Sequence, residues 1–165
     1  MEMKPDIRFL NDMKEVLCDK KWAEIAPNFE LYYMYRGVKK RDGLRYDITV
    51  IPPRMLGQEF VKTKGHSHAG TYNEIYIVLK GQPLYLLQKS VGNKIKDVYA
   101  IKAKKGNVVV VPSCYSHVTI NPSKKETLEE ANWVYEKCKN IYDSFVEKQG
   151  ACYYYTTGGW IKNKK

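Results

Sequence analysis

Three histidines, His66, His68 and His117, are the only imidazoles in this chain of 165 residues. The first two form a His-x-His pair, and the period of two along a strand turns both rings to one face, where they can grip a single ion. Glu74 follows beyond a turn at Gly70, at the head of the apolar run Ile75–Leu79, so a neighbouring strand can return its carboxylate to the same face. His117 is distant in sequence and closes the run Gly106-Asn-Val-Val-Val-Val-Pro112-Ser-Cys-Tyr-Ser-His117. Imidazole and carboxylate donors together suit Fe, Mn, Ni, Co, Cu or Zn without selecting among them. Four such ligands leave two positions of an octahedron open for substrate oxygens or water.

Strands must carry these residues, and the sequence supplies them. Between Asp6 and Trp22 the residues Ile7, Leu10, Met13, Val16 and Leu17 recur at helical spacing behind a candidate cap, Asp6, which predicts an N-terminal helix over about 6–22. After Pro27 the character changes to short β-branched and aromatic runs separated by Gly and Pro. They lie at Leu31–Tyr35, Tyr46–Ile51, Glu59–Thr63, Glu74–Leu79, Leu84–Gln88, Asp97–Ile101, Asn107–Val111, Ser116–Ile120 and Ala131–Tyr135. Such spacing predicts an antiparallel, mainly β sandwich or barrel rather than a βαβ sheet. A short helix is expected over Asn140–Lys148, then a last strand at Cys152–Tyr155, with only Lys162–Lys165 frayed. No repeat or linker divides the chain, so one domain over 1–165 is expected, with its core over about 46–135 and a C-terminal extension over 136–165.

No apolar run approaches the ~18 residues of a membrane span, and the N-terminus lacks a signal-peptide apolar stretch, so a cytoplasmic protein without a membrane partner is expected. Cys18, Cys114, Cys138 and Cys152 lie far apart with no CxxC pair, the pattern of reduced thiols. The formal charge is +10. Residues 61–122 hold nine lysines and only two carboxylates, Glu74 and Asp97, so seven of the ten excess charges fall in that stretch. The same lysines suit a solvated basic face or a field that attracts a small anionic substrate. No recognition motif accompanies them, which argues against nucleic acid.

The spacings His66-x-His68-x5-Glu74-x6-Gly81 and Gly106-x5-Pro112-x4-His117-x3-Asn121 resemble the paired motifs of the cupin superfamily. Cys114 stands where that pattern usually has Gly, and the gap from His68 to Glu74 is one or two residues longer than the commonest spacing. The resemblance implies a single-domain cupin, an antiparallel β-barrel or jelly roll, in which His66, His68, Glu74 and His117 hold one divalent metal per subunit: Fe, Mn, Ni, Co or Zn. The wider context is more specific. Tyr32-Tyr-Met-Tyr-Arg-Gly-Val38, Asp47-Ile-Thr49, Lys62-Thr-Lys-Gly65-His-Ser-His68 and Asn73-Glu74-Ile-Tyr76 are similar to the cupin-type glucose-6-phosphate isomerase family, known chiefly from archaea.

That likeness implies reversible conversion of glucose 6-phosphate to fructose 6-phosphate. Glu74 would be ligand and general base through a cis-enediol; a hydride shift between C1 and C2 is the competing route. Thr49, Thr63, Gly65 and Tyr76 would hold the substrate phosphate, joined by one tyrosine of the Tyr32–Tyr35 run, for which Tyr35 is preferred. Tyr72 would orient the substrate, and a homodimer is implied. One departure is chemical: the family's Gly-His-Asp-Tyr segment, whose His is proposed to help open the sugar ring, is replaced by Lys137-Cys-Lys-Asn140-Ile-Tyr142. Two other readings stay open at this level, a sugar-phosphate-binding cupin without turnover and a metal-dependent cupin oxygenase.

Overall fold

A computed structural model describes residues 3–165 of the chain. Its strands are β1 (Asp6–Phe9), β2 (Glu30–Arg41), β3 (Leu44–Ile51), β4 (Met55–Leu56), β5 (Glu59–Phe60), β6 (Ser67–His68), β7 (Glu74–Lys80) and β8 (Leu84–Val91). They continue as β9 (Lys94–Lys102), β10 (Val108–Val111), β11 (Ser116–Ile120), β12 (Leu128–Tyr135), β13 (Asn140–Ile141), β14 (Tyr153–Thr156) and β15 (Gly159–Lys162). Two short helices, α1 (Lys20–Ile25) and α2 (Asp143–Glu147), complete the chain. The fold is mainly β, and its paired strands are antiparallel.

The largest sheet runs β1-β2-β3-β12-β7-β10, and a second runs β11-β8-β9. Two isolated bridges, Lys62 to Ile120 and His66 to His117, connect the loop after β5 with β11. The core lies between these layers. Strand β8 buries Leu84, Tyr85, Leu86 and Leu87 in succession, whereas β7 alternates, with Glu74, Tyr76 and Val78 buried and Ile75 exposed. That alternation sets the site, because it puts Glu74 and Tyr76 on one inward face.

The N-terminal segment departs from the expected helix over 6–22. Asp6–Phe9 is a strand paired with β2, followed by two 3₁₀ turns at Leu10–Asp12 and Lys14–Val16 before α1. The spacing of Ile7, Leu10, Met13 and Val16 is three, which is the 3₁₀ period rather than 3.6. Leu10, Met13, Val16 and Leu17 are nevertheless fully buried. At the other end α2 lies within the expected Asn140–Lys148. The last strand, displaced by one residue, forms a hairpin with β15, so Lys162 is paired with Tyr153 rather than frayed.

Candidate metal centre and substrate cleft

Backbone pairing brings the three histidines together. His66 N–H donates to the His117 carbonyl at 3.2 Å and His117 N–H to the His66 carbonyl at 3.0 Å, so the loop after β5 is stitched at the site to β11, about 50 residues away. His68 lies on β6, paired with Asn140 of β13. Gly65 precedes the pair at φ +83°, and a Cβ there would meet the Phe145 ring at 2.5 Å and Val118 at 2.8 Å, so the turn admits only glycine.

The Nε2 atoms of His66, His68 and His117 face Oε2 of Glu74 at 3.7, 3.1 and 3.3 Å. His66 and His68 Nε2 are themselves 3.1 Å apart. Ligand bonds of about 2.0–2.2 Å set neighbouring donors roughly 3.0–3.5 Å apart around one ion. The His68 and His117 separations from Glu74 fall in that range and that of His66 is slightly longer, and donor atoms of His66, Glu74 and His117 all lie within 4.8 Å of one another, as a shared divalent cation would need. The hydrogen bonding agrees, since Glu74 Oε2 is buried with no hydrogen-bond partner. Its other oxygen is held by Asn132 Nδ2 at 2.6 Å, an orienting contact of the kind that fixes a metal-binding carboxylate. Tyr76 hydroxyl lies 2.9 Å from His117 Nε2.

Electrostatics prepare the same donors. Burial works to lift the Glu74 carboxyl, but the imidazoles of His66, His68 and His117 packed against it outweigh burial and hold it well below the usual carboxylate range. Burial, reinforced by His66, pushes His117 down to about 3, so its ring is neutral and able to ligate. Glu130 goes the other way. Burial, with the Glu74 charge nearby, lifts it to about 8 against the hydrogen bond from Tyr85, so at neutral pH this carboxyl keeps its proton.

A cleft enclosing about 590 Å3, counting the part continuous with solvent, opens over Glu74 and His66. Thr49, Thr63, Gly65 and Tyr76 also line it. His68 is buried behind it. Tyr35 is not in the lining: on β2 the inward parity belongs to Tyr32, Met34 and Arg36, and Tyr32 occupies the cleft instead. Tyr72 is likewise outside the lining, 37% exposed and stacked on Tyr135 with ring centroids 4.5 Å apart. Asn140 lines the cleft and donates to the Tyr142 hydroxyl at 3.3 Å.

The cationic lining differs from the one expected of residues 61–122. Arg8, Arg36, Arg45 and Lys64 supply it, and of the nine lysines in that stretch Lys64 alone takes part. Lys62 is buried against Glu59 and the Val16 carbonyl, while Lys80, Lys94, Lys96, Lys102, Lys104 and Lys105 are exposed elsewhere. Glu130 and Asn132 were also not singled out by motif. Their signal was present, because they fall on the inward parity of β12 with Leu128 and Val134, where an apolar strand has no reason to place polar groups.

Two solved structures share the cupin-like fold at low identity: the capsular polysaccharide assembling protein CapF from Staphylococcus aureus and an oxalate oxidase. Their TM-scores are 0.51 and 0.50, with 20% and 17% identity. Each match covers 63% of this chain, and 28% and 50% of the other chain respectively. Glucose-6-phosphate isomerase of Pyrococcus furiosus is 35% identical over 125 residues, or 72% of this chain and 64% of that protein. The Thermococcus litoralis enzyme of the same name is 33% identical over 129 residues, 74% of this chain and 65% of that protein. The chain thus spans a little under two thirds of the length of these relatives. A family model described as glucose-6-phosphate isomerase (GPI) matches residues 8–165, and the chain belongs to that family.

Proposed function

We propose that the protein interconverts glucose 6-phosphate and fructose 6-phosphate by moving a hydrogen between C1 and C2. The observation that carries this reading is the convergence of His66, His117 and the Glu74 carboxylate, with His68 behind them, beside a cleft that also presents hydroxyls, a glycine backbone and cations. His66, His68, Glu74 and His117 would hold one divalent metal, Fe, Mn, Ni, Co or Zn, whose part is to polarise the C1 and C2 oxygens. Glu74, anionic across the neutral range and oriented by Asn132, faces the reacting carbons as the base in a cis-enediol route. Glu130 carries a proton within the same cleft and can donate it to a substrate oxygen. Thr63, Gly65, Tyr76 and Thr49 are read as substrate contacts, and Tyr32 takes the place expected of Tyr35. Tyr72, packed on Tyr135 at the rim, is read as bordering the substrate entrance.

The strands are read as one cupin domain whose barrel is closed by the His66–His117 and Lys62–Ile120 bridges. A homodimer is proposed through edge strand β10, where Val108 and Val110 stand exposed beside Ile75. No helix among the described residues is long and apolar enough to cross a membrane, and a cytoplasmic location is proposed from the four free thiols.

The test is an isomerase assay with fructose 6-phosphate before and after chelation, with metals restored one at a time. Turnover should vanish with chelator and return with metal, and His117→Ala and Glu74→Ala should each abolish it. Full turnover by protein shown to be metal-free would refute the metal-centred reading. Sugar-phosphate binding without turnover under any metal would replace the isomerase with a binding protein. Solvent deuterium in the product would favour the proton route over the hydride shift.

A further inference from the structure

Lysines that the cleft leaves unused converge on a second concavity. Its floor is one face of β8 and β9, where Leu86 sits across from Ala100 and Gln88 from Val98, and its wall is the hairpin of β14 and β15. Lys94 and Lys96 of β9, Lys148 after α2, Lys162 of β15 and Lys165 line one end, which encloses about 1050 Å3 counting the part continuous with solvent. Leu86, Val98, Ala100, Tyr153 and Trp160 line the other end, which encloses about 560 Å3 on the same count. Val98 and Tyr153 belong to both ends, so they form one groove, and it shares no lining residue with the cleft over Glu74.

Charge and shape restrict what can lie there. Neither end is lined by a carboxylate, and among the described residues none of the five lysines lies within ion-pair distance of one. Asp97, between Lys96 and Val98 in the chain, is outside the lining and accepts from the Tyr115 hydroxyl at 3.4 Å. Lys148 donates to the Asn93 carbonyl at 2.9 Å, a contact that leaves its charge uncompensated. Ammonium groups gathered in this way repel one another, and an anion laid among them relieves that repulsion. The other end carries no charge. Trp160 there is 39% exposed, with its ring centroid 4.7 Å from that of Tyr155, and Val98 and Ala100 are exposed beside it. β9 has a sheet neighbour on one side only, and from Lys94 to Ala100 it runs roughly 20 Å, the reach of about six extended residues.

We propose that this groove receives an extended acidic segment of another protein, its carboxylates among the lysines and its aliphatic side chains against Val98, Ala100 and Trp160. Two other occupants match the groove less well. A second copy of this chain using the same face would set lysines against lysines. A nucleic acid carries phosphate along its whole length, whereas the cations here are confined to one end. The contact is of the salt-sensitive kind, because its charges are solvent-exposed.

The test is titration of full-length, zinc-loaded protein at low salt with two synthetic peptides, Glu-Glu-Glu-Glu-Val-Gly-Leu-Val and the same sequence reversed, followed by amide NMR shifts. At least one peptide should bind, move the amides of Lys94–Ala100 and Tyr153–Lys162 while leaving those of His66 and His68 in place, and weaken as salt is raised. Lys96→Glu combined with Lys162→Glu should weaken binding about 10-fold or more. Trp160→Ala should weaken it with the salt dependence unchanged. Lys94→Glu combined with Lys165→Glu carries the test if the first pair lowers the melting temperature. Failure of both peptides to bind, binding indifferent to both charge reversals, or shifts confined to other surfaces would overturn the proposal. Tighter binding of an octauridylate than of either peptide would overturn it in favour of nucleic acid. Self-association of the protein that disappears in the charge-reversed variants would overturn it in favour of a contact between copies.

Discussion

Glu130 is 1% exposed, accepts a hydrogen bond from Tyr85 at 2.7 Å, and has no cation within ion-pair distance among the described residues. Its carboxyl ionises near 4.5 in an unfolded chain but only near about 8 in the fold, raised by burial and by the Glu74 charge. A carboxyl raised in this way makes the unfolded chain release its proton first. The protein is therefore favoured by this group below pH 4.5, loses that advantage as pH rises through the interval, and has lost it fully above about 8. The loss accrues at about 1.4 kcal/mol per pH unit, so on the order of 2–3 kcal/mol should disappear between about pH 5.5 and about pH 7.5. Glu130→Gln keeps an oxygen for the Tyr85 hydroxyl and removes the titration. Urea unfolding of chelator-treated protein should show the variant near wild-type stability at the lower pH and more stable at the higher. A wild-type stability that runs parallel to the variant across this range would refute the buried neutral carboxyl, and with it the proposed donor in the cleft.

Asn132→Leu removes the donor that fixes Glu74 Oε1, and metal affinity should fall about 10- to 100-fold in competition with a chromophoric chelator. Unchanged affinity would mean that the carboxylate is positioned by the imidazoles alone. Gly65→Ala drives a Cβ into Phe145 and Val118 at a positive φ, and should cost about 3 kcal/mol, read as a lowered melting temperature. Adding Phe145→Ala in the same chain should recover part of the clash at Gly65, since the ring is the nearest obstacle; no recovery would place the strain in the backbone.

The His/Glu cluster was legible because histidine is rare in this chain and because strand parity carries over directly into which side chains share a face. The sheet character was legible for the same reason, from runs whose ends coincide within a few residues with β3, β7, β8 and β11. What sequence did not disclose depended on pairings between distant segments. Arg8 enters the cleft only because β1 adds to β2, whereas the N-terminal apolar spacing of three, which resembles a helix in sequence, is that of a strand and 3₁₀ turns in the fold. Tyr32 rather than Tyr35 lines the cleft because register with β3 fixes the parity of β2, which a run of aromatics leaves open. Charge counted along the chain misplaced the basic field, since lysine-rich β9 lies away from the cleft and Lys62 is consumed by Glu59.

The stitching of the site has a consequence for synthesis. Its parts come from Arg8 on β1 through Tyr142 beyond β13, and His68 is held by a strand pair that closes only when Asn140 arrives. A chain emerging from a ribosome therefore carries His66 for about fifty residues before His117 can clamp it, and His68 for about seventy before Asn140 arrives. On the proposed metal reading, ion capture waits for both clamps, and a nascent chain halted before Asn140 should hold metal loosely or not at all.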